Sequence, residues 1–154
     1  SRKLDPIEGI WKNARSNTNQ TIAIYKRGNT HTAQVLNSGE FLFTIKQSES
    51  RELAGIIYIK ELNWNTKQGE YAYCIGYPFE GKNITSKAVK CLSEFAFTQL
   101  QLNTLQIIVH KDNIGSVKVA KNTNFKWIKT LKNEFTPNGE KPLDMELYEL
   151  HNET

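Results

Sequence analysis

Between residues 69 and 109 the spacing of apolar residues changes twice, and this constrains the fold more than any other stretch of the chain. Residues 69–77 are rich in aromatic and branched side chains, as a strand prefers. From Ile84 the period lengthens: Ile84, Ala88, Cys91, Leu92, Phe95, Ala96 and Leu100 recur at three- and four-residue steps, which sets them on one stripe of a helix. After a turn at 101–103, residues 105–109 (LQIIV) form a short apolar run, suited to a strand buried on both faces as at the centre of a parallel sheet. A strand, a crossover helix and a parallel strand result.

The flanking segments add strands without another crossover. Phe41, Phe43 and Ile45 alternate with other residues, and residues 53–62 are rich in Ile and Tyr, so a hairpin joined near 48–51 is predicted. Residues 63–68 read as a turn. A second helix is predicted over 113–122, followed by closing strands at 125–131 and 145–150 around the turn Thr136-Pro137-Asn138-Gly139. Residues 13–20 and 28–32 are polar enough to be loops, and 6–14 form a candidate helix. The predicted fold class is mixed α/β: a mostly antiparallel sheet holding one parallel β-α-β crossover, with flanking helices.

Composition narrows the function classes. The 154 residues fit a single domain spanning 1–154, since domains commonly run about 100–150 residues. No apolar run approaches the ~20 residues of a membrane helix. The first residues, Ser1-Arg2-Lys3-Leu4-Asp5-Pro6, carry no apolar signal core, so a cytoplasmic home is the expectation. Cys74 and Cys91 lack CxxC spacing and sit in apolar company, which points to packing and away from zinc or a disulfide framework. His31, His110 and His151 show no metal-ligand spacing either. The net charge of +4 is spread along the chain, which disfavours a nucleic-acid patch and suits a polyanionic ligand. The assembly state stays open, with a homodimer among the expectations.

Residues 78–85 (Pro78, Phe79, Glu80, Gly81, Lys82, Asn83, Ile84, Thr85) lie where a turn must open into the long helix. Such a turn presents unpaired N–H groups, and the helix dipole adds about half a positive charge, so phosphate is a natural ligand. Gly81 would let phosphates approach the main chain, and Asn83 tolerates a left-handed backbone. A single glycine before a helix is equally an ordinary cap or turn.

The order of motifs resembles the GNAT acetyltransferase superfamily, and within it the branch of ribosomal-protein N-terminal acetyltransferases. Glu70-Tyr71-Ala72-Tyr73 resembles that branch's strand signature E-i-G-Y. Residues 79–85 resemble its y-Q-G-k-G-y-a loop, with nine positions from Ala72 to Gly81 as in the family. Glu94-Phe95-Ala96-Phe97 resembles its helix ending, and Asn113-Ile114-Gly115-Ser116 with Asn124-Phe125 resembles N-x-x-S followed by G-F. The resemblance covers about 39–150 and leaves 1–38 poorly matched. Three positions depart from the pattern: Asn83 and Asn124 replace glycines, and Ala120 stands seven residues after the motif asparagine, where many members carry a general-acid tyrosine. Asparagine is the least costly replacement where a backbone must turn left-handed.

The resemblance implies acetyl-CoA as cosubstrate and direct attack by a primary amine in a ternary complex. Residues 79–85 would hold the pyrophosphate. The backbone N–H groups of Cys74, Ile75 and Gly76 would meet the pantetheine and the developing oxyanion, and Asn113 and Ser116 the pantetheine and departing sulfur. Glu70 is the candidate general base and Ser116 a weak proton donor. One glutamate suits an amine that is already partly neutral near pH 7, such as a protein N-terminal α-amine near pKa 8 or a small weakly basic amine; a lysine amine near 10.4 costs several kcal/mol more to deprotonate. The alternative is an acyl-CoA-binding module without catalysis, given Ala120, Asn83 and Asn124.

Overall fold

The computed structural model describes residues 21–26, 29–37, 40–46, 52–81 and 83–153. Among the described residues eight strands form one sheet: β1 (Thr21–Lys26), β2 (Asn29–Asn37), β3 (Glu40–Lys46), β4 (Leu53–Asn63), β5 (Gln68–Ile75), β6 (Thr104–Val109), β7 (Lys126–Phe135) and β8 (Leu143–His151). Their spatial order is β1-β2-β3-β4-β5-β6-β8-β7. Every neighbouring pair is antiparallel except β5–β6. That parallel pair is joined by helix α1 (Ile84–Thr98), so the predicted crossover is present; helix α2 (Ile114–Asn122) follows β6.

A row of cross-strand neighbours, Phe41, Ile59, Tyr71, Ile107 and Tyr148, runs across five strands, and all five side chains are buried. Helix α1 lies over this face with Ala88, Val89, Cys91, Leu92, Phe95 and Ala96 buried, the stripe that its three- and four-residue spacing dictates. Phe95 meets Phe43 edge-on with ring centroids 6.4 Å apart, and the Tyr71 hydroxyl lies 2.9 Å from Ser93 Oγ on the helix. Side chains alternate across a strand, so Gly69, Tyr71 and Tyr73 face the helix while Glu70 and Ala72 face away.

Several boundaries differ from expectation. Residues 29–32, read as a loop, begin β2, where Thr30 and His31 pair with Lys46 and Ile45 of β3. Strand β5 stops at Ile75 instead of running to Tyr77, because a 3-10 turn carrying Pro78 (Tyr77–Phe79) takes over; proline cannot donate to a ladder. Strand β6 is not buried on both faces: Leu105, Ile107 and Val109 are buried, but the opposite side is half-buried and carries Gln106, which donates to Glu149 at 2.8 Å. The closing strands are longer than predicted, and β8 inserts between β6 and β7. The candidate helix at 6–14, the loop at 13–20 and the hairpin joint at 48–51 lie outside the described residues.

Candidate active site

The parallel ladder between β5 and β6 ends at Tyr71–Ile107, while β5 continues to Ile75 against β4 and β6 continues to Val109 against β8. The two strands therefore part. The Gly76 N–H donates to Ala54 O at 2.7 Å, and hydrogen-bonding direction alternates along an antiparallel strand. The N–H groups of Tyr73 and Ile75 consequently point into the gap, while those of Cys74 and Gly76 point to β4. This corrects the sequence expectation: of Cys74, Ile75 and Gly76, only Ile75 has a main-chain donor aimed at the opening.

A cleft of about 570 Å³ occupies this gap, lined by residues of β5, of the turn beyond it and of both helices. One end is the start of α1. Asn83 is left-handed there (φ 58°), makes no side-chain cap, and no acidic residue occupies the first turn. The first N–H groups of a helix have no partner within it, so they stay available to an anion. Gly81 is also left-handed (φ 75°), with open space where a Cβ would stand. The left-handed backbone anticipated at Asn83 is present, and Asn124, the other asparagine in a glycine's place, is left-handed as well (φ 68°). Main-chain donors, a positive helix end and a cleft of this size fit the diphosphate and thiol arm of coenzyme A.

The cleft lining gathers Cys74, Ile75, Phe79, Glu80, Gly81, Asn83, Ile84, Thr85, Asn113 and Ser116 from the predicted set. Gly76 lies beside it with its N–H engaged by β4, and Lys82 lies outside the described residues. Asn113 also serves the fold, since its side chain accepts the Ser116 N–H at 3.2 Å and caps α2. Cys74 is exposed, against the expectation of packing, whereas Cys91 is in the core. Among the described residues no His, Cys, Asp and Glu side chains group closely enough to hold a metal.

Sequence reasoning missed Tyr73, Ser86, Gly115, Lys118, Val119 and Asn122 as lining residues. The helical ones recur at three- and four-residue steps from Gly115, so the face of α2 opposite its core residue Ala120 was a usable signal. Tyr73 gave less signal, because its approach to α2 depends on where β6 separates. Burial pushes the Tyr73 phenol up, partly offset by the Ser116 hydroxyl beside it.

Glu70 does not line the cleft. It faces the other side of the sheet, one residue before the strands part, with Lys60 Nζ at 3.6 Å. Burial raises its carboxyl above the usual range; Lys60 opposes this, and Glu61 and Glu134 reinforce it. Ala120 is fully buried in the core, so the helix offers no acid at that position.

A family model described as "Acetyltransferase (GNAT) domain" matches residues 8–126. The match begins well inside the stretch that the motif resemblance leaves unmatched. The chain is 29% identical over 89 residues to spermidine N(1)-acetyltransferase of Escherichia coli K12, covering 58% of this chain and 48% of that one. Over 83 residues it is 29% identical to an uncharacterised N-acetyltransferase, p20, of Bacillus licheniformis, covering 54% and 47%. The chain thus spans about half the length of the curated relatives it matches. Among solved structures, the Vibrio cholerae spermidine N-acetyltransferase in complex with CoA and spermine superposes with a TM-score of 0.67 at 21% identity, covering 73% of this chain and 66% of that one. A candidate ribosomal-protein-serine acetyltransferase from the same organism gives 0.67 at 22%, covering 75% and 66%. These two likenesses speak for the fold. Since the family model spans well over half of the sequence, the chain belongs to the GNAT acetyltransferase domain family.

Proposed function

We propose that this protein transfers an acetyl group from acetyl-CoA to a primary amine, and that its acceptor is a small cationic amine. The observation that carries the transfer is the parting of β5 and β6 beyond Tyr71 and Ile107, beside a helix start with no side-chain cap. A long anionic thioester can then run from the N-terminus of α1 to the apex of the split. Acetyl-CoA would supply the activated carbonyl. The chain would bind its phosphates through the Gly81–Asn83 turn and the first N–H groups of α1, and present the N–H groups of Tyr73 and Ile75 to the carbonyl oxygen. Each preorganised donor of that kind is commonly worth about 3 kcal/mol.

The amine approaches from the opposite face, where Glu70 waits as base. Its raised pKa brings a carboxylate closer to the working range of a general base, and Glu61 and Glu134 lie near enough to add negative potential. A cationic acceptor is favoured in such a field, which accords with the spermidine acetyltransferases among the relatives. A protein N-terminal α-amine is the second reading, favoured by the strand signature at residues 70–73.

The test mixes the protein and acetyl-CoA with spermidine, spermine, simple monoamines and N-terminal peptides while free thiol is followed. Faster release with polyamines is expected. Release accelerated only by peptides would move the acceptor to protein N-termini. Acetyl-CoA binding with no acceptor accelerating release would leave an acyl-CoA-binding module.

A further inference from the structure

We propose that Tyr73 is the proton donor to the departing sulfur, a role that rests on the acetyltransferase reading above. Tyr73 stands one step beyond Tyr71 on the helix-facing side of β5, opposite Ile57 of β4, where β6 no longer pairs with the strand. Tyr73 is among the residues that line the cleft. Its hydroxyl oxygen is buried yet makes no hydrogen bond among the described residues. A buried hydroxyl left unpaired costs about 1–3 kcal/mol. Such a group calls for an explanation, and a ligand atom that completes it is one.

The other proton carriers in the same cleft suit the role less well. Ser116 carries an aliphatic alcohol, which is far less acidic than a phenol. Cys74 and Lys118 are exposed, so neither is held in a protected position against the sulfur. Ala120 has no proton to give. Tyr73 combines a protected O–H with a position on the wall where the strands part. Burial raises its pKa, with the Ser116 hydroxyl opposing, so the group holds its proton across the physiological range and is available as a donor when the thiolate forms beside it.

The step balances. The attacking nitrogen, neutral once its ammonium proton has passed to solvent, forms the new C–N bond and gives its next proton to Glu70. The C–S bond breaks with its electron pair on sulfur, and the Tyr73 O–H proton passes to that sulfur. The phenolate recovers a proton from water as the products leave.

The deciding variant is Tyr73→Phe, which keeps the ring and removes only the hydroxyl. Turnover should fall about 100-fold, the lower range for a positioned acid, with acetyl-CoA affinity little changed. A second readout needs no turnover: binding of free CoA by calorimetry across pH. A phenol that donates to sulfur favours the thiolate, so wild-type affinity for CoA should rise between about pH 7 and 8.5, where a free thiol begins to ionise. Affinity for acetyl-CoA, which has no thiol, should not follow it. The other titratable groups lining the cleft are Cys74 on β5, Glu80 in the turn and Lys118 on α2, while α1 contributes Asn83, Ile84, Thr85 and Ser86. All remain in Tyr73→Phe, so loss of the pH dependence assigns it to the phenol. Unchanged kcat and an unchanged CoA profile in the variant would overturn the proposal. Absence of turnover in the wild type with every amine would remove the acetyltransferase reading, and the CoA profile would still decide whether Tyr73 meets the sulfur.

Discussion

Tyr71 on β5 and Ile107 on β6 are the last parallel partners before the two strands separate, and the Tyr71 hydroxyl ties that point to helix α1 through Ser93 Oγ at 2.9 Å. The same oxygen lies 3.4 Å from the Val89 carbonyl. Its burial is complete enough to push the phenol well above the usual tyrosine range, with Ser93 opposing. Tyr71→Phe leaves Ser93 buried without this partner and should cost about 1–2 kcal/mol. For a chain of this length each kcal/mol lowers Tm by roughly 2–4 °C. Thermal melts of Tyr71→Phe, Ser93→Ala and the double variant check this: the double variant should lose less than the sum of the singles. Strict additivity would mean the two hydroxyls do not support one another.

Gly55 holds the other edge of the strand that walls the cleft. A Cβ there would stand 2.5 Å from the Cys74 carbonyl oxygen and 3.1 Å from Ile75 Cα. Both nearest contacts are backbone, so β4 or β5 must shift to admit it. Overpacking of this kind costs about 1–3 kcal/mol. Gly55→Ala should therefore lower Tm and also weaken acetyl-CoA binding, since displacement of Cys74 and Ile75 moves the donor wall. A variant that binds acetyl-CoA like the wild type would show that the strand absorbs the change.

How much of this was legible in the sequence follows from where its signals are local. The stripe from Ile84 to Leu100 and the alternation of Phe41, Phe43 and Ile45 specify α1 and β3 through their own periods, and the structure carries both. Residues 29–32 gave no such signal, because Asn29, Thr30, His31 and Thr32 are polar; pairing with β3 makes them a strand, and that is a long-range fact. The loop at Gly81 and Asn83 was legible because backbone chemistry at a helix start depends on a few adjacent residues. Which N–H groups face the gap was not, because the ladder register that sends the Gly76 donor to Ala54 is invisible in the strand's own composition. The nearness of Tyr73 to Ser116 likewise depends on β6 leaving the strand at Ile107.

Asn124 turns the chain between α2 and β7 at φ 68°. A left-handed conformation costs a residue with a Cβ roughly 1–2 kcal/mol, and asparagine recovers part of that through local hydrogen bonding. Asn124→Ala should destabilise by about 1 kcal/mol, whereas Asn124→Gly should be neutral or slightly stabilising. Urea titration of both variants tests the ordering. Equal stability of the two would remove backbone strain as the reason for asparagine here.

At Gly81 space and conformation separate. A Cβ would meet nothing within 4 Å, yet φ is +75°, so a side chain is strained without clashing. Gly81→Ala should cost about 1 kcal/mol of stability and perturb ligand binding modestly. Gly81→Asp adds a negative charge beside the start of α1, and should weaken acetyl-CoA binding far more than alanine does while melting at a similar temperature. Calorimetric titration with acetyl-CoA separates the two effects, and equal affinities for the two variants would place the phosphates elsewhere.

Ionisation of Glu70 couples both activity and stability to pH. Its carboxyl is raised above the ordinary value of 4.5 by burial, against the pull of Lys60. As a base it acts only when ionised, so kcat/KM should climb with pH through a midpoint above 4.5, and Glu70→Gln should lower kcat by about 100-fold and abolish that limb. The same shift acts on stability in the opposite direction. A carboxyl whose folded pKa exceeds its unfolded value binds its proton more tightly in the native state. Its stabilising contribution is present below the unfolded pKa and is lost as pH rises through the folded one. The wild type should therefore lose stability relative to Glu70→Gln as pH rises above 4.5, as measured by urea unfolding below and above that point. A wild-type advantage that grows with pH would mean that the ion pair with Lys60 outweighs the burial of the carboxylate.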